Sequence, residues 1–255
     1  MTPWVLLRGL TRESRHWGDF PRRFADKLGG VETICLDLPG NGALHASRSP
    51  PSVAALAEHC HVELAARGVA RPCQVLAMSL GAMVAIEWTA RHAEDVAGAV
   101  LINTRARPWC GAHRRLRPGN LPRVLRLLLA PPSPVEMERV VLEMTSSRVR
   151  TRHERDALLD EWRRWRLDAP VSAANAARQL LAAARYRAPA RPPSAPLLLL
   201  ASRGDALVSH RCSERMAAEW GLPLALHEWA GHDLPLDDAD WVIEQVANWA
   251  PCRQA

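Results

Sequence analysis

The feature that most constrains this chain is a recurrent pattern in which short, continuously apolar runs are separated by helical stretches. Residues 4–7, 31–38, 74–78, 99–102, 197–201 and 225–229 read as six buried strands. Residues 17–28, 53–67, 80–92, 211–220 and 238–249 read as helices between or after them. A strand with one wet face alternates polar and apolar residues, whereas a continuously apolar one is covered on both faces. The pattern therefore predicts an α/β fold with a mostly parallel sheet flanked by helices. Ligands of such sheets bind beyond the carboxyl ends of the strands, so the loops there are the places to look for chemistry.

The rhythm stops between residues 104 and 196. Helix start signals replace strands: Ser133-Pro134-Val135-Glu136, Thr151-Arg152-His153-Glu154, and Ser172 before an alanine-rich run. The segment ends in the proline-rich stretch 188–196, a stiff return to the sheet. We expect a core formed by residues 1–104 and 196–255, with a helical lid inserted at 105–195.

Charge is distributed unevenly. Between Arg105 and Arg187 there are 18 arginines against eight acidic residues, in a chain whose net charge is +6. Such a surplus suits an anionic partner or substrate, or simply a solvated basic face. No nucleic-acid-binding module accompanies it, so nucleic acid is not expected. No apolar run reaches the ~20 residues of a membrane span, and the N-terminus does not read as a signal peptide. The six cysteines are scattered without C-x-x-C or metal-ligand spacing. A cytoplasmic protein without a disulfide framework, metal or cofactor is expected.

The sharpest local feature is Ala77-Met78-Ser79-Leu80-Gly81, between an apolar strand and an Ala/Gly-rich helix. A serine on such a tight strand-to-helix turn needs small residues two before and two after it, and its hydroxyl then projects above the sheet. A hydroxyl is a weak nucleophile and needs a base oriented by a third group. His232 follows the last strand at its carboxyl end, and Asp205 follows the fifth strand after Gly204. These are the expected base and acid; Asp233 and Asp237 are the acids set aside. Charge that develops on a carbonyl oxygen needs donors, for which the backbone N–H groups of Leu80 and Leu10 are placed, with Gly9 allowing close approach.

Together with Asp37-Leu38-Pro39-Gly40-Asn41-Gly42 and the Gly231-His232 pair, these motifs resemble the α/β-hydrolase superfamily, and within it the small lidded serine esterases. Arg8-Gly9 stands where that family usually has His-Gly, and Ala77 where it usually has glycine. The resemblance implies hydrolysis of a carboxylic ester or thioester through an acyl-enzyme on Ser79, with a small-molecule acyl substrate that is anionic or carrier-bound in one reading. Arg8, Gly9, Trp17, Trp162 and Trp165 are the expected substrate-binding residues. Two other readings stay open at this point: a non-hydrolytic enzyme of the same fold (a lyase or C–C bond cleavage), and a catalytically silent ligand-binding protein.

Overall fold

The first strand, β1 (Trp4–Leu7), already shows why the sheet has two covered faces. Val5 and Leu7 enter one apolar cluster and Trp4 and Leu6 another, as the period-two geometry of a strand requires. The molecule is represented by a computed structural model that describes residues 1–108, 118–130 and 132–249. Among the described residues five further strands follow: β2 (Thr33–Leu36), β3 (Cys73–Met78), β4 (Val96–Ile102), β5 (Leu197–Ser202) and β6 (Leu224–His227). They form one sheet in the order β2-β1-β3-β4-β5-β6, every pair parallel. The chain moves outward from β1 to β2, then returns to build the rest from β3 on the other side. The carboxyl ends of β1 and β3 therefore flank the topological switch point.

Helices α1 (Phe20–Lys27), α2 (Val53–Ala66) and α3 (Leu80–Arg91) precede the long interruption. The expected helix at 17–28 is shorter, because a 3-10 turn at Ser14–Trp17 ends at Gly18 in the left-handed region (φ 57°) before α1 begins. Among the described residues between β4 and β5 lie the helices α4 (Leu121–Leu129), α5 (Pro134–Thr145), α6 (Arg152–Asp168) and α7 (Ala173–Arg185). The last three start at the caps visible in the sequence. Ser133 accepts from Glu136 N at 3.3 Å, Ser172 from Asn175 N at 3.1 Å, and Thr151 with Glu154 closes a capping box. α4 was not anticipated. After β5 come α8 (Arg211–Trp220), the one-turn α9 (Leu234–Asp237) and α10 (Ala239–Asn248).

The inserted helices pack in two ways. Ala182 and Ala183 of α7 belong to the core cluster that also holds α2, α3 and α8. Leu142, Leu159 and Trp162 form a separate small cluster between α5 and α6. No helix among the described residues is long and apolar enough to cross a membrane.

Cys35, Cys60 and Cys73 are free thiols, whereas Cys212 is disulfide-bonded, which the sequence reading did not expect. Burial pushes the Cys35 thiol up to about 11 and the Cys73 thiol up to about 12, and raises Cys60 as well. Only the thiolate attacks, and at pH 8 a thiol titrating near 11 is about 0.1% ionised. Iodoacetamide at pH 8 should therefore leave all three unmodified in the native protein and label them after denaturation. Peptide mass spectrometry checks this, and rapid native labelling of any of the three would contradict it.

Candidate functional site

Backbone strain marks the carboxyl end of the sheet. Among the described residues, the non-glycine positions with positive φ are Thr11, Ser79 and Asn103, at 55°, 56° and 46°. They follow β1, β3 and β4 respectively, so the three strained residues lie at one end of three adjacent strands. Strain of this kind costs about 1–3 kcal/mol per residue and concentrates where geometry serves a site.

At Ser79 its cause is local. β3 passes into α3 through this single residue (φ 56°, ψ −113°). A Cβ on Gly81 would come within 2.5 Å of Arg8 O and 2.7 Å of Leu7 O, so glycine is required there. Ala77 is fully buried within β3, with its methyl group accommodated in the core cluster. Gly9 brings the loop after β1 against the serine: a Cβ there would lie 3.1 Å from Ser79 Cβ and 3.6 Å from its Oγ. Leu10 follows in that loop, and Leu80 is the first residue of α3.

The loops after β5 and β6 bring Asp205 and His232 together. Asp205 is buried, and its Oδ2 lies 2.7 Å from His232 Nδ1. Its Oδ1 accepts from Leu207 N at 2.7 Å and Val208 N at 2.9 Å, which fixes the carboxylate. A carboxylate only accepts, so the proton of a neutral His232 sits on Nδ1 and leaves Nε2 basic. The two nearby acids are engaged elsewhere. Asp233 receives Arg8 at 3.1 and 2.5 Å, and Asp237 accepts from Gly231 N at 2.7 Å and Ser147 N at 2.8 Å.

Asn103 was not singled out in the sequence. Its Nδ2 donates to His232 O at 2.8 Å and its Oδ1 accepts from Ser202 N at 2.9 Å, tying the ends of β4 and β5 to the histidine loop. An asparagine directly after an apolar strand was the available signal, because Asn tolerates the left-handed region. Asp37 also acts locally: it accepts from Ser14 N at 2.7 Å and Ala43 N at 3.0 Å and orders the loop after β2.

Ser79, His232, Gly9 and Leu10 line one cavity of about 540 Å³, within the range of small-molecule sites. Its walls are largely apolar and come mainly from the inserted helices, including Val124, Leu127, Met137, Val141 and Leu180.

The expected tryptophans and Arg8 are not among the residues that line it. Trp17 stacks on Phe20 with centroids 5.4 Å apart in the core, Trp162 lies under Arg12 at 3.9 Å, and Trp165 meets the His16 ring edge-on. All three face a second, polar depression. Arg8 is buried and spent on Asp233, so it adds no uncompensated cation beside Ser79. Arg12, Arg105 and Arg166 do line the cavity; Arg12 and Arg166 converge on the buried Glu138 at 2.6 and 2.5 Å, one carboxylate between two cations.

A parallel sheet with a strained strand-to-helix serine at its switch point defines the class: an α/β protein built for chemistry at the carboxyl ends of its strands. The model of the alpha/beta hydrolase family matches residues 4–245, and the chain belongs to that family. No curated protein matches the sequence. Among solved structures, an esterase from Thermogutta terrifontis superposes with a TM-score of 0.73 at 21% identity, covering 98% of this chain and 89% of that one. A bacterial membrane phospholipase A described as a virulence factor gives 0.75 at 25% identity, covering 100% and 80%. The enol-lactonase from Burkholderia xenovorans LB400 gives 0.75 at 18% identity, covering 97% and 91%.

Proposed function

We propose that this alpha/beta hydrolase is a serine hydrolase that cleaves a carboxylic ester or thioester through an acyl-enzyme on Ser79. The observation that carries the reading is the 2.7 Å contact of His232 with Asp205 in a loop that shares a cavity wall with Ser79. In this reading His232 Nε2 takes the Ser79 proton as Oγ attacks the carbonyl carbon, then returns it to the leaving alcohol or thiol. Asp205 holds the imidazole in the tautomer that makes this possible. The backbone N–H groups of Leu80 and Leu10 receive the oxyanion. Water, activated by the same histidine, then releases the acid.

The cavity supports an apolar acyl group. Arg12, Arg105 and Arg166 line it, and the single carboxylate of Glu138 is shared by Arg12 and Arg166, so the wall keeps positive charge that can receive an anionic portion of a substrate. The helical segment between β4 and β5 serves as the lid in this reading.

The test combines fluorophosphonate labelling with a p-nitrophenyl ester series from acetate to decanoate. Covalent labelling mapped to Ser79 together with ester turnover supports the reading, and absence of both sinks it. Tryptophan at Val141 or Leu180 should shorten the preferred acyl chain, because both side chains form the wall. A methylene is worth roughly 10–200-fold in such pockets, so the decanoate-to-butyrate ratio of kcat/KM should fall at least tenfold. An unchanged ratio would place the acyl chain elsewhere.

A further inference from the structure

At the opposite, amino-terminal end of the sheet, two histidines and a carboxylate meet on the surface. Glu58 and His61 are one turn apart on α2, and His92 caps the end of α3. The His61 and His92 rings stack with centroids 3.8 Å apart and planes inclined by 12°. His92 Nε2 lies 3.0 Å from Glu58 Oε2. The three side chains each present a donor atom within 4.8 Å of the others.

What sets this cluster apart is the group behind it. His61 Nδ1 lies 2.7 Å from Asp95 Oδ2, and Asp95 is completely buried. Trp88 Nε1 donates to the same carboxylate at 2.7 Å, and Arg71 pairs with it at 2.7 Å. A carboxylate oxygen accepts, so the contact places the proton of a neutral His61 on Nδ1. Its Nε2 lone pair is then left for a ligand. A buried carboxylate behind the far nitrogen of a histidine is the arrangement that orients imidazole ligands on metal ions.

We propose that Glu58, His61 and His92 form a binding site for a divalent transition ion of the zinc type, with Asp95 as the residue that positions His61. Two imidazoles and one carboxylate suit Zn²⁺ better than the hard ions, which want oxygen. Donors around a tetrahedral ion with bonds of about 2.0–2.1 Å are roughly 3.3 Å apart. The 3.0 Å separation of His92 Nε2 and Glu58 Oε2 is close to that spacing, and the part-exposed His92 ring has to turn out of its parallel stack on His61 for both in-plane lone pairs to meet one ion. His61 and His92 are part-exposed and Glu58 is mostly exposed, so an ion reaches them from solvent and water completes its shell.

The ion would join α2 to the end of α3. Asp95 immediately precedes β4, whereas Ser79 and His232 follow the carboxyl ends of β3 and β6, so the ion is remote from the cavity and takes no part in hydrolysis.

The experiment is a calorimetric titration of the untagged whole chain with ZnCl₂, alongside thermal unfolding with and without the ion. Wild type should bind one Zn²⁺ that survives His232→Ala, and its Tm should rise with Zn²⁺ concentration. Glu58→Gln and His92→Gln, both at exposed or part-exposed positions, should each weaken that binding at least tenfold. Asp95→Asn should weaken it about 10–100-fold. Zn²⁺ titration that is silent to about 1 mM, or wild-type affinity retained in both Glu58→Gln and His92→Gln, overturns the proposal and leaves a plain ion-pair cluster.

Discussion

Replacing Ser79 with alanine is expected to lower kcat for any ester that wild type hydrolyses by roughly 10⁴–10⁶-fold, with KM little changed. The substitution removes only the attacking oxygen. The cavity walls, the Gly9 and Gly81 contacts and the His232–Asp205 pair are untouched, so substrate binding persists while the covalent step is lost. His232→Ala should cost a similar factor. The double variant should cost no more than either single change, because both remove the same step. Asp205→Asn should fall by about 10⁴, since an amide that donates to Nδ1 stabilises the wrong imidazole tautomer. Steady-state kinetics with fluorophosphonate-titrated wild type as the reference measures all four. Multiplicative losses in the double variant would mean that serine and histidine act independently, which an acyl-enzyme mechanism does not allow.

The sheet was legible because its inner strands β1, β3, β4 and β5 are buried on both faces, and apolar continuity located even the part-buried edge strands β2 and β6 to within a few residues. The largest discrepancy is at β2, where residues 31–32 and 37–38 flank the paired segment rather than join it. The serine turn was legible for a steric reason: Gly81 faces carbonyl oxygens of β1 and its following loop, and only glycine fits. Side-chain surroundings in the inserted helices were not. Trp162 and Trp165 are three apart on α6 and share a face, but spacing does not say what that face meets. It meets Arg12 and His16. Nor could the arginine excess reveal that Arg12 finds its carboxylate 126 positions away. α4 carries a start signal in Asn120 and Pro122, but the Asn120 side chain donates to Ala206 O rather than capping the helix.

Glu138→Ala should destabilise the fold by about 3–5 kcal/mol, the usual effect of removing one partner from a buried ion pair. Two cations depend on this one carboxylate: Arg12 Nη1 donates to its Oε2 at 2.6 Å and Arg166 Nε to its Oε1 at 2.5 Å. Glu138 and Arg12 are both buried, and Arg12 is also held against the Trp162 ring, so neither can turn to water without repacking α5 against α6. In a domain of this size the loss corresponds to a fall in Tm of roughly 10 °C. Burial alone would raise the Glu138 carboxyl above its ordinary value, but Arg12 and Arg166 outweigh that and hold it below. A carboxyl depressed in the folded state contributes its full stability above the unfolded value near 4.3 and loses it as pH falls through the folded one. The gap between wild type and Glu138→Ala, measured by urea unfolding, should therefore be widest near pH 7 and narrow in acid. Glu138→Gln keeps the shape and loses the charge, and should retain most of the loss at pH 7. A penalty below about 1 kcal/mol in both variants would mean that water replaces the carboxylate between the two guanidinium groups. That part of the cavity wall would then be hydrated rather than held dry by the Arg12–Glu138–Arg166 cluster.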